Sequence, residues 1–166
     1  MGFTTSCFIR KNSKELQERL ADIGYSICRC ANFTNAEWIN TLPINGTIHG
    51  KGYFDAEMEN AGWTVEKELS RFVSENPSYI DCGKNEDLFL AIAALRDDSD
   101  IHQWVVLDTN ASMFSENMIP KGTFIICKRD RWFVDFDKDG NPDSFSSRNI
   151  PAHKATVEEL IKHFTK

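Results

Sequence analysis

Apolar positions along this chain change period several times, and each change predicts an element. Phe3 to Ile9 is rich in aromatic and β-branched residues and reads as a strand. Asn12 or Ser13 then caps a helix through about Ile23, with Leu16, Leu20 and Ile23 on one face and Gly24 as the stop. Tyr25 to Ala31 reads as the next strand, so the first thirty residues predict strand–helix–strand. From Asn32 to Gly62 the pattern dissolves. Pro43, Gly46, Gly50 and Gly52 predict turns around one short strand near His49 to Phe54, a loop-rich embellishment over 32–62.

Periodicity returns at Thr64, an N-cap for a helix whose apolar stripe is Val65, Leu69, Phe72 and Val73, ended by Pro77. Tyr79 to Cys82 reads as a short strand. Lys84 to about Arg96 reads as a helix with Leu88, Phe89, Ile92 and Leu95 inward, and it is almost wholly apolar from Leu88 to Leu95. It is therefore expected to be the most buried element. His102 to Asp108 follows as a strand, and Thr123 to Lys128 with Arg131 to Phe136 as an antiparallel pair. A last helix opens on Thr156, whose Thr-x-x-Glu spacing to Glu159 predicts a capping box; Val157, Leu160, Ile161 and Phe164 recur at helical spacing.

These elements predict an α+β fold: a mixed, mostly antiparallel sheet of about five to seven strands with about four packed helices. A length of 166 residues suits a single domain, 1–166, and a chain this size hides roughly 70% of the surface its unfolded form exposes. A net charge of −6 gives no electrostatic case for nucleic acid or an anionic membrane as the main partner. The densest basic cluster, Lys128-Arg129-Asp130-Arg131, is broken by an acid and reads as a charged turn.

Met1 to Ser6 lacks the charged and apolar regions of a signal peptide, and no apolar run approaches the ~20 residues a bilayer span needs. Gly2 with Ser6 fits a myristoylation pattern only superficially, since the residues after it read as a buried strand. Five cysteines cannot all pair. The expectation is a cytoplasmic protein with free thiols, in which the Asn-x-Ser/Thr triplets at Asn32, Asn45 and Asn110 carry no glycan.

The run Asp135-Phe136-Asp137-Lys138-Asp139-Gly140-Asn141-Pro142-Asp143 is the most specific chemical pattern. Asp135, Asp137, Asp139, Asn141 and Asp143 supply alternating oxygens around a glycine turn, the donor set that suits Ca²⁺. It resembles the calcium loops of integrin-type propeller repeats, which come in series, whereas this one stands alone. It departs from an EF-hand, because Ser146 takes the place of the closing Glu. The plainer reading is a polar reversal, since Asp, Gly, Asn and Pro are also turn residues.

Cys82 is the candidate nucleophile. It precedes a helix N-terminus, where the dipole favours thiolate. Asp81-Cys82-Gly83, with His102-Gln103-Trp104 downstream, resembles fragments of papain-like peptidases. Distance argues against a dyad: a helix from Lys84 to Arg96 carries the chain roughly 18 Å at 1.5 Å per residue, so His102 starts at the far end. The plainer reading is a structural thiol. Cys28 and Cys30 share a strand face, with Cys7 and Cys127 on other strands. A zinc tetrathiolate is conceivable there, but loop knuckles are the usual source and core thiols the simpler account. His153 and His163 fall in or near the last helix, and the position of His163 in its last turn complements the dipole. Trp38, Trp63, Trp104 and Trp132 read chiefly as core or core-rim residues; Trp38 and Trp63, which flank the loop-rich segment, are also candidate groove residues.

Three segments carry a family resemblance: Cys82 through Asp98, the opening Met1-Gly2-Phe3-Thr4-Thr5, and His153 through Ile161. Together they resemble an uncharacterised family of small proteins found in gut bacteria and their phages or mobile elements. The resemblance implies a genomic setting and no mechanism. The leading expectation is a non-enzymatic accessory or protein-interaction domain with an unknown protein partner, self-association being open and no cofactor required. The alternatives are a Ca²⁺-binding domain using the acidic loop and a thiol hydrolase centred on Cys82.

Overall fold

The computed structural model describes residues 2–28, 33, 36–51, 60–112, 118–128 and 151–166. The acidic loop 135–143, Cys30, Trp132 and the strand expected at 131–136 lie outside the described residues. The fold is α+β, with mostly antiparallel pairing and four α-helices among the described residues. No helix among them is long and apolar enough to cross a membrane. The chain divides into two compact units, one over Phe3–Ala93 and one over Ala94–Lys166 together with Gly2.

The first unit holds a five-stranded sheet in the order β2-β4-β3-β1-β5. Its strands are β1 (Cys7–Ile9), β2 (Ser26–Ile27), β3 (Trp38–Leu42), β4 (Thr47–Lys51) and β5 (Ile80–Asp81). Strand β3 runs antiparallel to β1 and β4, while β1–β5 and β2–β4 are parallel. The segment expected as turns around one strand thus supplies two strands, one of them central. Residues Trp38 to Thr41 are all buried, so both faces of β3 are covered and its polar and apolar residues do not alternate. A 3₁₀ turn over Pro43–Asn45 and Gly46, at φ 59, reverse the chain into β4.

Helix α1 (Lys14–Ile23) begins where the Ser13 side chain accepts from Leu16 N and ends at Gly24, φ 114, burying Leu16, Leu20 and Ile23. Helix α2 (Val65–Glu75) starts at Thr64, whose hydroxyl accepts from Lys67 N, and ends at Asn76. Its Leu69 and Phe72 pack on Phe8 and Trp38 of the sheet, with Val73 and Tyr79 at the margin. Phe72 lies 4.7 Å from Trp38 and 5.1 Å from Tyr79 between ring centres.

Helix α3 (Glu86–Ala93) is capped by the Asn85 side chain, which accepts from Leu88 N at 3.0 Å. Every residue from Leu88 to Ala93 is buried, as its unbroken apolar run predicts. It stops at Ala93, short of the Arg96 expected from periodicity. The Tyr25 hydroxyl donates to the Ala93 carbonyl at 2.9 Å.

The second unit shows why the helical pattern does not extend further. Arg96 gives its N–H to Gln103 Oε1 at 3.4 Å, and its carbonyl accepts from Gln103 Nε2 at 3.0 Å and Lys154 Nζ at 3.1 Å. Asp97 N donates to Gly2 O at 2.7 Å, and Gly2 is buried. These bonds replace helical ones. The three-stranded antiparallel sheet β10-β6-β9 comprises β6 (Trp104–Leu107), β9 (Phe124–Ile126) and β10 (Ala152–Lys154), and a two-stranded pair joins β7 (Ala111–Ser112) to β8 (Met118–Ile119). Its core is Val105, Leu107, Ala111, Ile125 and Cys127. Helix α4 (Val157–Phe164) carries the complete Thr156/Glu159 capping box and buries Leu160.

Candidate functional site

Cys82 continues the β1–β5 ladder: its N–H donates to Phe8 O at 3.0 Å, and its carbonyl accepts from Asn85 N at 3.0 Å. Asp81 shapes the turn, accepting from Gly83 N at 2.8 Å and binding Arg10 through both carboxylate oxygens at 2.6 and 2.7 Å. Gly83, at φ 58, allows the reversal. The Cys82 thiol is therefore turned into the core and is 4% exposed.

The pKa of this thiol is driven far above the ordinary range. A hydrogen bond shared with the Cys7 thiol contributes most, followed by burial and the negative potential of Cys7 and Asp81. This is opposite to the direction expected from a helix N-terminus alone. That helix end is already occupied, since Asn85 takes the Leu88 N–H and Glu86 and Asp87 place carboxylates in the first turn. Cys7 is also buried, donating from Sγ toward Phe89 O at 3.8 Å. The Cys82 group is therefore held as a thiol, buried in the core.

His102, the base that a Cys82 dyad would have required, belongs to the second unit. It sits in the left-handed region at φ 66, with its N–H donated to Cys127 O at 2.7 Å. Cys127 is buried, and burial pushes its thiol up to about 11. Cys28 is half-buried. Among the described residues, no group of three or more His, Cys, Asp or Glu is placed to hold a metal ion.

Two histidine arrangements were not legible in the sequence. In the first, Thr47 donates its hydroxyl proton to Asn45 Oδ1 at 2.5 Å and so can only accept from His49 Nε2 at 3.1 Å. Burial holds the His49 pKa below its ordinary value, which fits a neutral ring protonated on Nε2. His49 faces Asn40 across the β3–β4 pair, and Asn40 is itself buried.

The second arrangement is in the other unit. His153 lies on β10, just ahead of the last helix. Its Nδ1 is 2.8 Å from Asp108 Oδ1, and its Nε2 is 3.1 and 3.2 Å from the two Glu159 oxygens. Its pKa is raised, most strongly by the hydrogen bond to Glu159; burial opposes the rise, and the Asp108 hydrogen bond adds to it. The Glu159 pKa is lowered, chiefly by the Thr156 N–H that it accepts, with His153 adding to the effect. His163 packs its ring on Phe124, with centres 4.0 Å apart and planes at 14°, and Phe164 meets Trp104 edge-on at 5.4 Å.

Of the candidate groove residues, Trp38 is fully buried, and its Nε1 has no hydrogen-bond partner among the described residues. Trp63 is half-buried, with the Arg71 guanidinium 5.5 Å from its ring centre. Ile27 and Met118 are the large apolar side chains left exposed among the described residues, at 42% and 61%. Comparison with known proteins matched no family model, no curated protein and no solved structure.

Proposed function

We propose that this chain is a non-enzymatic accessory or protein-interaction domain, working in the cytoplasm as part of a bacterial mobile element. The observation that carries the reading is the state of Cys82. The best nucleophile candidate in the sequence is buried against Cys7 and held as a thiol, whereas a nucleophilic cysteine needs an accessible thiolate. The setting in a mobile element rests on the resemblance of residues 1–5, 82–98 and 153–161. The partner is a protein, and self-association is one form the contact takes.

The test is affinity capture from the native host combined with light scattering of the purified chain, using Cys82→Ala, Ile27→Glu and Met118→Glu. The reading expects Cys82→Ala to retain the bound partner or the oligomer. At least one of the two surface variants, each still folded by circular dichroism, should lose it. Retention by both surface variants, or turnover of an ester or amide substrate that disappears in Cys82→Ala, overturns the reading.

A second reading follows from the spacing of Asp135, Asp137, Asp139, Asn141 and Asp143, whose oxygens suit a Ca²⁺ site. In that case the interaction surface is organised by the metal.

A further inference from the structure

Asp108, His153 and Glu159 come from three elements: the residue after β6, strand β10 and the first turn of α4. A carboxylate accepts hydrogen bonds, so a ring whose two nitrogens each meet a carboxylate within 3.2 Å must donate from both. A neutral imidazole has one N–H and would set a lone pair against an anion. From this geometry we infer a proton-gated fastener: the doubly protonated His153 ties the end of β6 and strand β10 to the first turn of α4, and loss of one proton opens its Asp108 side.

Asp108 is the side that opens because Glu159 is independently fixed. Its Oε2 accepts the Thr156 N–H at 2.9 Å, and its own N–H donates to Thr156 Oγ1 at 3.2 Å. Nε2 meets both oxygens of this anchored carboxylate, so the proton that remains is the one on Nε2. The bare Nδ1 then lies 2.8 Å from Asp108 Oδ1 and repels it. The departing proton goes to solvent, since the His153 side chain is 42% exposed.

The charged groups bonded to the ring are Asp108, the residue after β6, and Glu159 from α4. On β10 itself, Lys154 is engaged elsewhere, with Asp100 at 3.0 Å and the carbonyls of Arg96 and Ser99. The other end of α4 is held by rings, His163 on Phe124 and Phe164 on Trp104, which need no proton. The device therefore loosens the end of β6 from strand β10 and leaves both ends of α4 in place. It is independent of the function proposed above.

The test is a ¹⁵N imidazole titration of the full chain, with amide exchange measured across the same pH range and corrected for intrinsic rates. The His153 midpoint is expected above 6.5, with Nε2–H as the neutral tautomer, and should fall in both Asp108→Asn and Glu159→Gln. Gln is compatible with a capping box, so the second variant keeps the helix start. Protection of the Asp108 amide, which donates to Pro151 O at 2.8 Å, is expected to drop about two- to fivefold through the midpoint, the range for exposed pairs. Protection of the Glu159 and Leu160 amides should hold. A midpoint at or below 6.5, a midpoint unmoved by both substitutions, or Asp108 protection that ignores it would each overturn the fastener.

Discussion

The backbone N–H of Cys7 donates to the Thr41 hydroxyl at 3.1 Å, a bond between strands β1 and β3 in which both residues are fully buried. A side chain here satisfies a main-chain donor, and the Cys7 sulfur lies 3.6 Å from the same oxygen. Thr41→Val keeps the volume and removes the acceptor, leaving a buried N–H unpaired at a cost of about 1–3 kcal/mol. Thr41→Ser keeps the acceptor and removes a methyl, costing about 1 kcal/mol. Urea unfolding is expected to rank Val as the more damaging change; equal losses would mean that the bond contributes little.

His102 and Gly83 share one backbone conformation, φ 66 and φ 58, with different side chains. The left-handed region costs a residue with a Cβ roughly 1–2 kcal/mol, while glycine enters it freely and loses more freedom on folding. His102→Gly is therefore expected to stabilise by up to about 1 kcal/mol, net of that entropy. Gly83→Ala is expected to destabilise by about 1 kcal/mol through the backbone alone, because an added Cβ would meet nothing within 4 Å. Thermal melts of the two variants should move in opposite directions.

Stability should depend on pH through His153 and Glu159 in a defined window. The His153 pKa is raised in the fold, so its contribution is full below the ordinary 6.5 and fades as pH climbs through the folded value. The Glu159 pKa is lowered, so its contribution is full above the ordinary 4.5 and fades as pH falls through its folded value. The melting difference between wild type and His153→Ala should therefore be widest between about pH 4.5 and 6.5 and shrink toward pH 9. A difference constant from pH 5 to pH 9 would exclude the charged ring as its source.

The acidic loop separates the two functional readings. The interaction-domain reading expects no calorimetric heat and no melting shift with millimolar Ca²⁺. The metal-organised reading expects both, and expects Asp137→Asn with Asp139→Asn to abolish them, since the site depends on its count of charged oxygens.

What the sequence disclosed about this fold was local. Ser13 and Gly24 bound α1, Thr64 opens α2, and Thr156 with Glu159 opens α4, because capping signals lie within a few residues of the bonds they make. The central strand β3 escaped because burial on both faces erases the alternation that marks a strand. Helix α3 ended early because Gln103 and Lys154 capture the Arg96 backbone groups, and no local pattern records those partners. The site followed the same rule. A helix N-terminus near Cys82 was visible in the sequence, but the Cys7 thiol brought beside it by strand pairing was not. The His153 fastener depends on β10, which its three-residue length hid.

The alkylation of Cys82 is the most direct test of the central claim, that the reactive-looking side chains of this molecule serve its interior. The folded chain would be treated with iodoacetamide at pH 6 and pH 8, and each cysteine quantified by peptide mass spectrometry. The account predicts that Cys82 stays unmodified at both values while half-buried Cys28 reacts, and that Cys82 reacts only after urea unfolding. Rapid modification of Cys82 at pH 6 in the folded chain would contradict it and return the thiolate to the centre of the protein's chemistry.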